Sequence, residues 1–426
     1  MAHIHFTGIG GVGMAGLAHI AADLGEKVTG SDAAESVMLS GLRSRGLEVT
    51  AHHVDTLPGQ PELLVYSSAV PEHNSERRCA ARLGIPEMRR GDYLSTLGQR
   101  FARTVAVAGS HGKTTTAAMI AHICREAGLE PGYLVGGAVN GWERSAAAGN
   151  GRLLITEVDE SDGTQAGFQA DIAVVLNVDD DHCWSLGGVE KLEACFVEFG
   201  RRAALVVTWR TPTTERLFGD HQPVLFVDEA LALSEGAPPQ PGPHNRVNGA
   251  VAVAVAERLG VSRPAALAAL RSFPGVSRRM SERHRSADGR LVIVEDYAHH
   301  PAELKAAMAA LREGYPQRRL LILFQPHRFE RVKRYGATFA ELLSGADRAW
   351  VVAPFAAWRQ DQELADPQEI VRQMRPEAAA GYLANDPDAI AAAVMPEMRG
   401  REASVLAVIG AGDICKAIPA LCQAMP

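Results

Sequence analysis

Aromatic residues make up only 6% of this 426-residue chain, and its six cysteines (Cys79, Cys124, Cys183, Cys195, Cys415 and Cys422) nowhere form a CxxC pair. That scatter excludes a zinc knuckle or a disulfide framework and fits a reducing, cytoplasmic setting. No basic patch dominates the formal charge of −7, which argues against nucleic acid and anionic membranes as partners. No apolar run is long enough to span a bilayer, so no membrane insertion is expected. The N-terminus runs into a strand without the basic n-region and cleavage site of a signal peptide.

What is present is core-forming residue in quantity: 46% hydrophobic against 22% charged. The length exceeds the usual single domain, so two or three are expected. Strand Ile4–Thr7, a glycine turn, a helix over Met14–Leu24 and strands at Lys27–Gly30 and Glu62–Ser67 alternate as in a Rossmann-like parallel sheet. A second segment follows the polar stretch Arg89–Arg103, with strands at Leu153–Glu157, Ile172–Asn177 and Ala204–Thr208. The Pro/Gly-rich run Gly236–Pro243 reads as a loop, and an alanine-rich helix over Val247–Leu259 follows it. A third segment starts near Phe273-Pro274-Gly275, with strands at Leu291–Glu295, Leu320–Phe324, Ala349–Val352 and Val405–Ile409.

The most informative stretch is Thr104–Thr116. A valine-rich run reads as a buried parallel strand, and Gly109-Ser110-His111-Gly112-Lys113-Thr114-Thr115 then turns into a helix. Backbone N–H groups and the positive end of a helix dipole converge there, which suits a polyphosphate. Lys113 would reach the outer phosphates and Thr114 would offer a hydroxyl to Mg²⁺. Val107 stands where the usual phosphate loop has its first glycine.

Gly8-Ile9-Gly10-Gly11-Val12-Gly13 fits GxGxxG after a strand, with Ser31-Asp32 about twenty residues on. Three readings stay open for it: an NAD-linked oxidoreductase, a nucleotide-sugar pyrophosphate site, or a tight turn without ligand. Ser67-Ser68-Ala69-Val70 ends a later strand on the carboxyl edge, where such sheets bind ligands.

Glu157-Val158-Asp159-Glu160-Ser161-Asp162 crowds four acids at a strand end, which is costly unless cations neutralise them. Asn177-Val178-Asp179-Asp180-Asp181-His182 repeats the pattern and adds an imidazole for a second metal site. A solvated acidic loop is the alternative. In His244-Asn245-Arg246-Val247-Asn248 the amides suit an adenine edge, while an N-cap role for Asn245 is equally natural. The Arg278-Arg279 pair reads as a phosphate clamp or as an exposed basic turn. In the third segment, Glu295–Pro301 and Phe324–Arg331 end two strands on one sheet edge, gathering His299, His300, His327, Arg328 and Arg331 around a site suited to a carboxylate.

Taken in order, GIGGVGM, SD, SSAV, GSHGKTTT, EVDESDG, NVDDDH, HNRVN, RR, DYAHHP, FQPHR and GAGD resemble the Mur ligase family along the whole chain. The resemblance implies an α/β protein of three domains: a Rossmann-like UDP-sugar-binding domain at 1–100, a central P-loop ATPase-like parallel sheet at 101–272, and a Rossmann-like α/β amino-acid domain at 273–426. It implies an ATP-dependent carboxylate–amine ligase of peptidoglycan precursor synthesis that adds L-alanine to UDP-N-acetylmuramate through an acyl phosphate. A relative adding another amino acid or a recycled peptide is the alternative within the family; an NAD-linked or nucleotide-sugar oxidoreductase is the alternative outside it. The partners implied are small molecules, in a monomer or homodimer.

The site residues it implies are these. Gly109, Ser110, His111, Gly112, Lys113, Thr114 and Thr115 hold the phosphates, Asn245 and Asn248 the adenine, and Asp296 the ribose. Thr114, Glu157 and His182 hold Mg²⁺, two ions in all, with Mn²⁺ as a substitute. Gly10, Gly11, Gly13, Asp32 and Ser68 contact the UDP sugar. His327, Arg328 and Arg331 bind the amino acid, with Lys113, Arg279, His299 and His327 catalytic. Because ATP contacts fall in two segments, closure is expected to assemble the site. The chain departs from the family pattern at Trp184, Met280, Ser281 and Glu295.

Overall fold

The computed structural model describes residues 2–181, 183–221, 223–228, 238–356, 365–375, 378–399 and 402–425. The chain divides into two compact units, one of Met1–Pro239 with Arg246–Pro274, the other of Gln240–Asn245 with Gly275–Pro426.

Among the described residues the first unit holds two sheets. Strands β1 (His3–Thr7), β2 (Lys27–Ser31), β3 (Glu48–Thr50), β4 (Leu63–Tyr66) and β5 (Glu87–Arg89) run parallel in the order β3-β2-β1-β4-β5. The order reverses at β1, so the turns after β1 and β4 diverge and open a crevice at the carboxyl edge. The second sheet comprises β6 (Arg103–Ala108), β7 (Gly132–Leu134), β8 (Ala146–Ala147), β9 (Leu153–Glu157), β10 (Ile172–Val175), β11 (Leu205–Trp209) and β12 (Val224–Val227). Its order is β12-β11-β10-β6-β9-β7-β8, and β8 alone is antiparallel to its neighbour. Central β6 lies between β9 and β10, so the loops after these three strands share one edge.

The central strands form where the sequence is apolar almost without interruption, because helices cover both faces of a parallel sheet. Strand β6 is buried from Thr104 to Ala108, and β10 throughout. Both sheets pack into one core, which runs from Phe6, Ile9 and Leu17 to Phe196, Phe199 and Phe218.

The second unit has one sheet among the described residues, in the order β13-β14-β18-β15-β16-β17. Its strands are β13 (Ser281–Arg285), β14 (Leu291–Asp296), β15 (Arg319–Phe324), β16 (Arg348–Val352), β17 (Ala379–Leu383) and β18 (Ser404–Ile409). Only β13 is antiparallel, and the loops after β14, β18 and β15 therefore lie side by side.

One boundary corrects the sequence reading. The helix after the Pro/Gly loop begins at Pro243, not Val247, and runs to Arg258. Proline at the first helical position costs no hydrogen bond, so Asn245 sits inside the first turn and is no N-cap. No helix of the described residues is long and apolar enough to cross a membrane.

Candidate active site

In the first unit the loop after β6 is built to leave a helix start uncovered. Gly112 has φ 84°, a left-handed conformation that glycine adopts without strain, and no side chain caps the helix Lys113–Glu126 that follows. The loop is held from the side by the segment after β10. Asn177 donates from Nδ2 to the His111 carbonyl at 3.1 Å and accepts the His111 N–H at 2.9 Å. Ser110 Oγ accepts the Asp179 N–H at 2.9 Å, and His111 Nε2 lies 3.0 Å from Asp179 Oδ2.

The acidic strand end after β9 meets this loop. Thr114 Oγ1 donates to Glu157 Oε2 at 2.7 Å. Lys113 Nζ donates to both Glu160 oxygens, at 2.8 and 3.0 Å, and to the Gly109 carbonyl at 2.6 Å. Arg90 Nη2 pairs with Asp159 Oδ2 at 2.9 Å. Asp162 instead closes a local turn, accepting the Thr164 N–H and hydroxyl. Two cations thus answer the crowding of acids noted in the sequence.

Burial pushes the Glu160 carboxyl up to about 7 even beside Lys113, and raises that of Glu157. Burial acts in the same sense on Asp159, but Arg90 and Lys113 outweigh it and hold that carboxyl at about 2. Burial also works against the Lys113 charge, and Glu160 with Asp159 more than restores it.

Thr114 and Glu157 present a hydroxyl and a carboxylate side by side, the hard-oxygen pair that Mg²⁺ takes when phosphates and water supply its other ligands. The turn after the neighbouring strand β7 leaves room for that carboxylate: a Cβ on Gly136 would fall 1.8 Å from Glu157 Oε1. Among the described residues no group of three or more His, Cys, Asp or Glu side chains is gathered for a metal. His182 lies outside the described residues. Thr115 is buried in the helix, and Asn248 Oδ1 lies against Gly112, where an added Cβ would meet it at 2.7 Å.

The turn after β1 is tied to the end of β2. The Gly8 and Ile9 N–H groups donate to the Ser31 carbonyl at 2.8 and 2.9 Å. Asp32 Oδ2 accepts the Gly10 N–H at 2.8 Å, and its Oδ1 accepts that of Ala33 at 2.7 Å. Both oxygens of Asp32 thus shape the loop. Gly11 precedes the helix Val12–Asp23 without a capping side chain, Gly13 lies under the Arg90 guanidinium, and Ser68 is exposed in the turn after β4.

In the second unit, Asp296 ends β14 and accepts the N–H groups of Met280 at 2.8 Å and Ala298 at 2.9 Å. The arginine pair separates into two jobs, and neither member is an exposed turn residue. Arg278 donates to Glu295 Oε1 at 2.8 Å and to the Gly410 and Gly412 carbonyls at 3.0 Å, which makes it a brace. Arg279 lies 3.5 Å from Glu303 Oε1 and 5.0 Å from the Tyr297 ring centre. Arg278 and Met280, on either side of it, both have positive φ, 62° and 48°. The turn is therefore strained on both sides of Arg279.

His299 Nδ1 lies 3.0 Å from Glu303 Oε2, and its ring centre is 5.5 Å from that of His327. His327 stacks on Phe355 and lies 3.3 Å from Arg331 Nη1. Arg331 is almost wholly buried, while Arg328, at φ 70°, precedes the helix Phe329–Leu343. Asn245 Nδ2 donates to the Pro241 carbonyl at 2.8 Å. Glu160, Arg90 and Glu303 escaped the sequence reading as individual site residues. Glu303 carried a signal, since His300 and Glu303 have the spacing of a capping box, which the structure forms.

Three family descriptions match in order: "Mur ligase family, catalytic domain" over residues 3–102, "Mur ligase middle domain" over 107–218, and "Mur ligase, glutamate ligase domain" over 278–412. The UDP-N-acetylmuramate–L-alanine ligase of Psychrobacter arcticus is 32% identical, covering 97% of this chain and 92% of its own length. That of Coxiella burnetii is also 32% identical, over 99% and 97%. Among solved structures, the UDP-N-acetylmuramate–alanine ligase of Thermotoga maritima matches with a TM-score of 0.82 at 25% identity, covering 99% of each chain. A murein peptide ligase from Psychrobacter arcticus shares the fold, with a TM-score of 0.72 at 22% identity.

Proposed function

This chain belongs to the Mur ligase family, and from that premise we propose that it joins L-alanine to UDP-N-acetylmuramate in peptidoglycan precursor synthesis, converting ATP to ADP and phosphate. The observation that carries the reading is the Lys113–Glu160 and Thr114–Glu157 pairing at the mouth of an uncapped helix, in a chain matching alanine-adding ligases over nearly its full length.

A carboxylate resists attack by an amine, so it must first be given a leaving group. One of its oxygens attacks the γ-phosphorus of ATP, the bond to ADP breaks, and an acyl phosphate forms. The alanine amine then adds to the carbonyl carbon and sheds a proton, and phosphate departs from the tetrahedral intermediate. In such a reaction the protein contributes mainly position and charge.

The loop N–H groups and the helix start receive the phosphates, and Lys113 turns from Glu160 to the arriving negative charge. Mg²⁺ held at Thr114 and Glu157, with His182 as a further ligand, would neutralise the phosphate oxygens; Mn²⁺ is expected to substitute. Asn248 and Asn245 serve the adenine and Asp296 the ribose. Arg279 stabilises charge on the transferring phosphoryl group. Arg328 and Arg331 take the amino-acid carboxylate, with His299 and His327 beside the amine. Gly10, Gly11, Gly13, Asp32 and Ser68 form the sugar-nucleotide site. We place the reaction in the cytoplasm, where ATP is available.

An oxidoreductase would leave Lys113 and the acidic strand end that meets it without a role. The test is phosphate release with UDP-N-acetylmuramate against a panel of amino acids and a tripeptide. Release requiring L-alanine supports the reading. Release with the tripeptide alone would assign the chain to peptide recycling, and hydrolysis indifferent to both would refute ligation.

A further inference from the structure

Strand β1 has an unusual inner face. Its sequence, His3-Ile4-His5-Phe6-Thr7, alternates as a strand with one face in water would, yet all five residues are buried. Ile4 and Phe6 enter the apolar core on one side. On the other side His3, His5 and Thr7 meet Thr29 and Ser31 of β2, and the helix Ser75–Leu83 covers them with a single carboxylate, Glu76, which is 0% exposed.

Four donors converge on that group. Glu76 Oε2 accepts the Ser31 hydroxyl at 2.6 Å and the Thr7 hydroxyl at 2.8 Å, and lies 3.2 Å from His5 Nε2. Its Oε1 accepts the Val54 N–H at 3.2 Å. His53 joins from the same segment, with Nδ1 2.7 Å from Ser31 Oγ. Burial alone would raise the carboxyl, but the hydrogen bonds from His5, Ser31 and Thr7 hold it at about 2. A buried charge is rarely the most stabilising way to fill such a space, since well-packed apolar residues usually do as well or better. Here the charge ties together buried donors that an apolar residue would leave unpaired.

The consequence is visible in what the two hydroxyls belong to. Thr7 is the last residue of β1, directly before Gly8, and Ser31 is the last residue of β2, directly before Asp32. The Ser31 carbonyl receives the Gly8 and Ile9 N–H groups, and Asp32 receives that of Gly10. Three consecutive N–H groups of the glycine loop are thus held by a dipeptide whose own position depends on Glu76. We infer that Glu76 is a positioning residue for sugar-nucleotide binding, clamping the ends of β1 and β2 so that the Gly8–Gly13 loop is preset before the pyrophosphate arrives. The inference rests on the reading of that loop as the sugar-nucleotide site.

Glu76→Gln preserves the shape but removes the charge and sets an N–H₂ group against either the Val54 N–H or the Ser31 and Thr7 hydroxyls, so at least one of the links at this residue must open. The affinity for UDP, measured by calorimetry, is expected to fall about tenfold, as is typical when a supporting residue lets a site shift by a fraction of an ångström. The KM for UDP-N-acetylmuramate should rise by a similar factor, with kcat and the KM values for ATP and L-alanine within about twofold of wild type. An unchanged UDP affinity, or an equal loss toward all three substrates, would overturn the inference. Should Glu76→Gln fail to fold, Ser31→Ala decides: it keeps the charge and removes one donor, and the same selective but smaller loss is expected, with unchanged UDP affinity overturning the idea. The two readings fail separately. Normal ligation with an unaltered KM in the variant sinks the role of Glu76 alone. A wild-type protein that binds UDP through a Glu76-dependent loop but does not ligate sinks the proposed reaction alone.

Discussion

Gly136→Ala is the sharpest test of the Thr114–Glu157 pair, because it moves one carboxylate and little else. Gly136 follows β7, which pairs in parallel with β9, the strand that ends in Glu157. Its backbone is not in the left-handed region, so alanine brings no conformational strain there. The new methyl would fall 1.8 Å from Glu157 Oε1 and 2.8 Å from its Cδ, where ordinary contact begins at 3.4 Å. The difference, 3.4 − 1.8 = 1.6 Å, is the distance by which the carboxylate must withdraw. Thr114 Oγ1, now 2.7 Å from Oε2, cannot keep its bond through such a movement. A misplacement of about 1 Å in a positioned catalytic group costs on the order of 10²-fold in rate. The expected loss in kcat is therefore about 100-fold, with a raised Mg²⁺ requirement that excess metal only partly relieves. The displaced atoms are the tip of a flexible side chain, so the melting temperature should stay within a few degrees of wild type. Phosphate release at titrated Mg²⁺, beside a thermal melt, reads both quantities. A folded Gly136→Ala protein with wild-type turnover and metal dependence would refute the assignment of Glu157 to the metal.

Lys113→Met should lower turnover by about 10²–10³-fold, the scale for removing one preset charge from a transition state. It should also destabilise the fold by leaving Glu160 buried without its partner, and adding Glu160→Gln should recover the melting temperature but not the turnover. Chelation of divalent metal should abolish phosphate release, and Mg²⁺ or Mn²⁺ should restore it; persistent ligation in chelator would remove the metal from the reaction. The acid stability of the first unit should depend on Glu76, whose carboxyl falls from 4.5 to about 2 on folding. A lowered folded value contributes stability that is complete above pH 4.5 and lost as the pH falls toward 2. The shift corresponds to about 3 kcal/mol. Glu76→Gln should flatten that part of the stability profile measured by melting at stepped pH, and an unchanged acid slope would show that other groups carry it.

Much of this architecture was legible because parallel sheets announce themselves. Strands β6, β9, β14, β15 and β18 are continuous apolar runs, each followed by its cluster of polar residues, and burial on both faces leaves such runs no other stable place. Short edge strands gave no such signal. Strand β13 reads Ser-Glu-Arg-His-Arg, with no apolar residue, and is held by antiparallel backbone pairing with β14 across the short Ser286–Arg290 connection. The His3/His5/Thr7 face of β1 is polar, and the helix carrying Glu76, some seventy residues on, buries it, a contact no local pattern announces.

The same division holds for the chemistry. The order of motifs determined the family and the ATP-driven ligation, since glycines, lysine and acids at those spacings serve phosphate whatever surrounds them. Which acid answers which cation was a matter of tertiary structure. Glu160 rather than Glu157 holds Lys113, Arg278 braces while Arg279 stays with Glu303, and Asp32 spends its oxygens on its own loop. Residue types and spacing limit the available partners, but hydrogen bonds act over about 3 Å, a distance that only the folded chain sets.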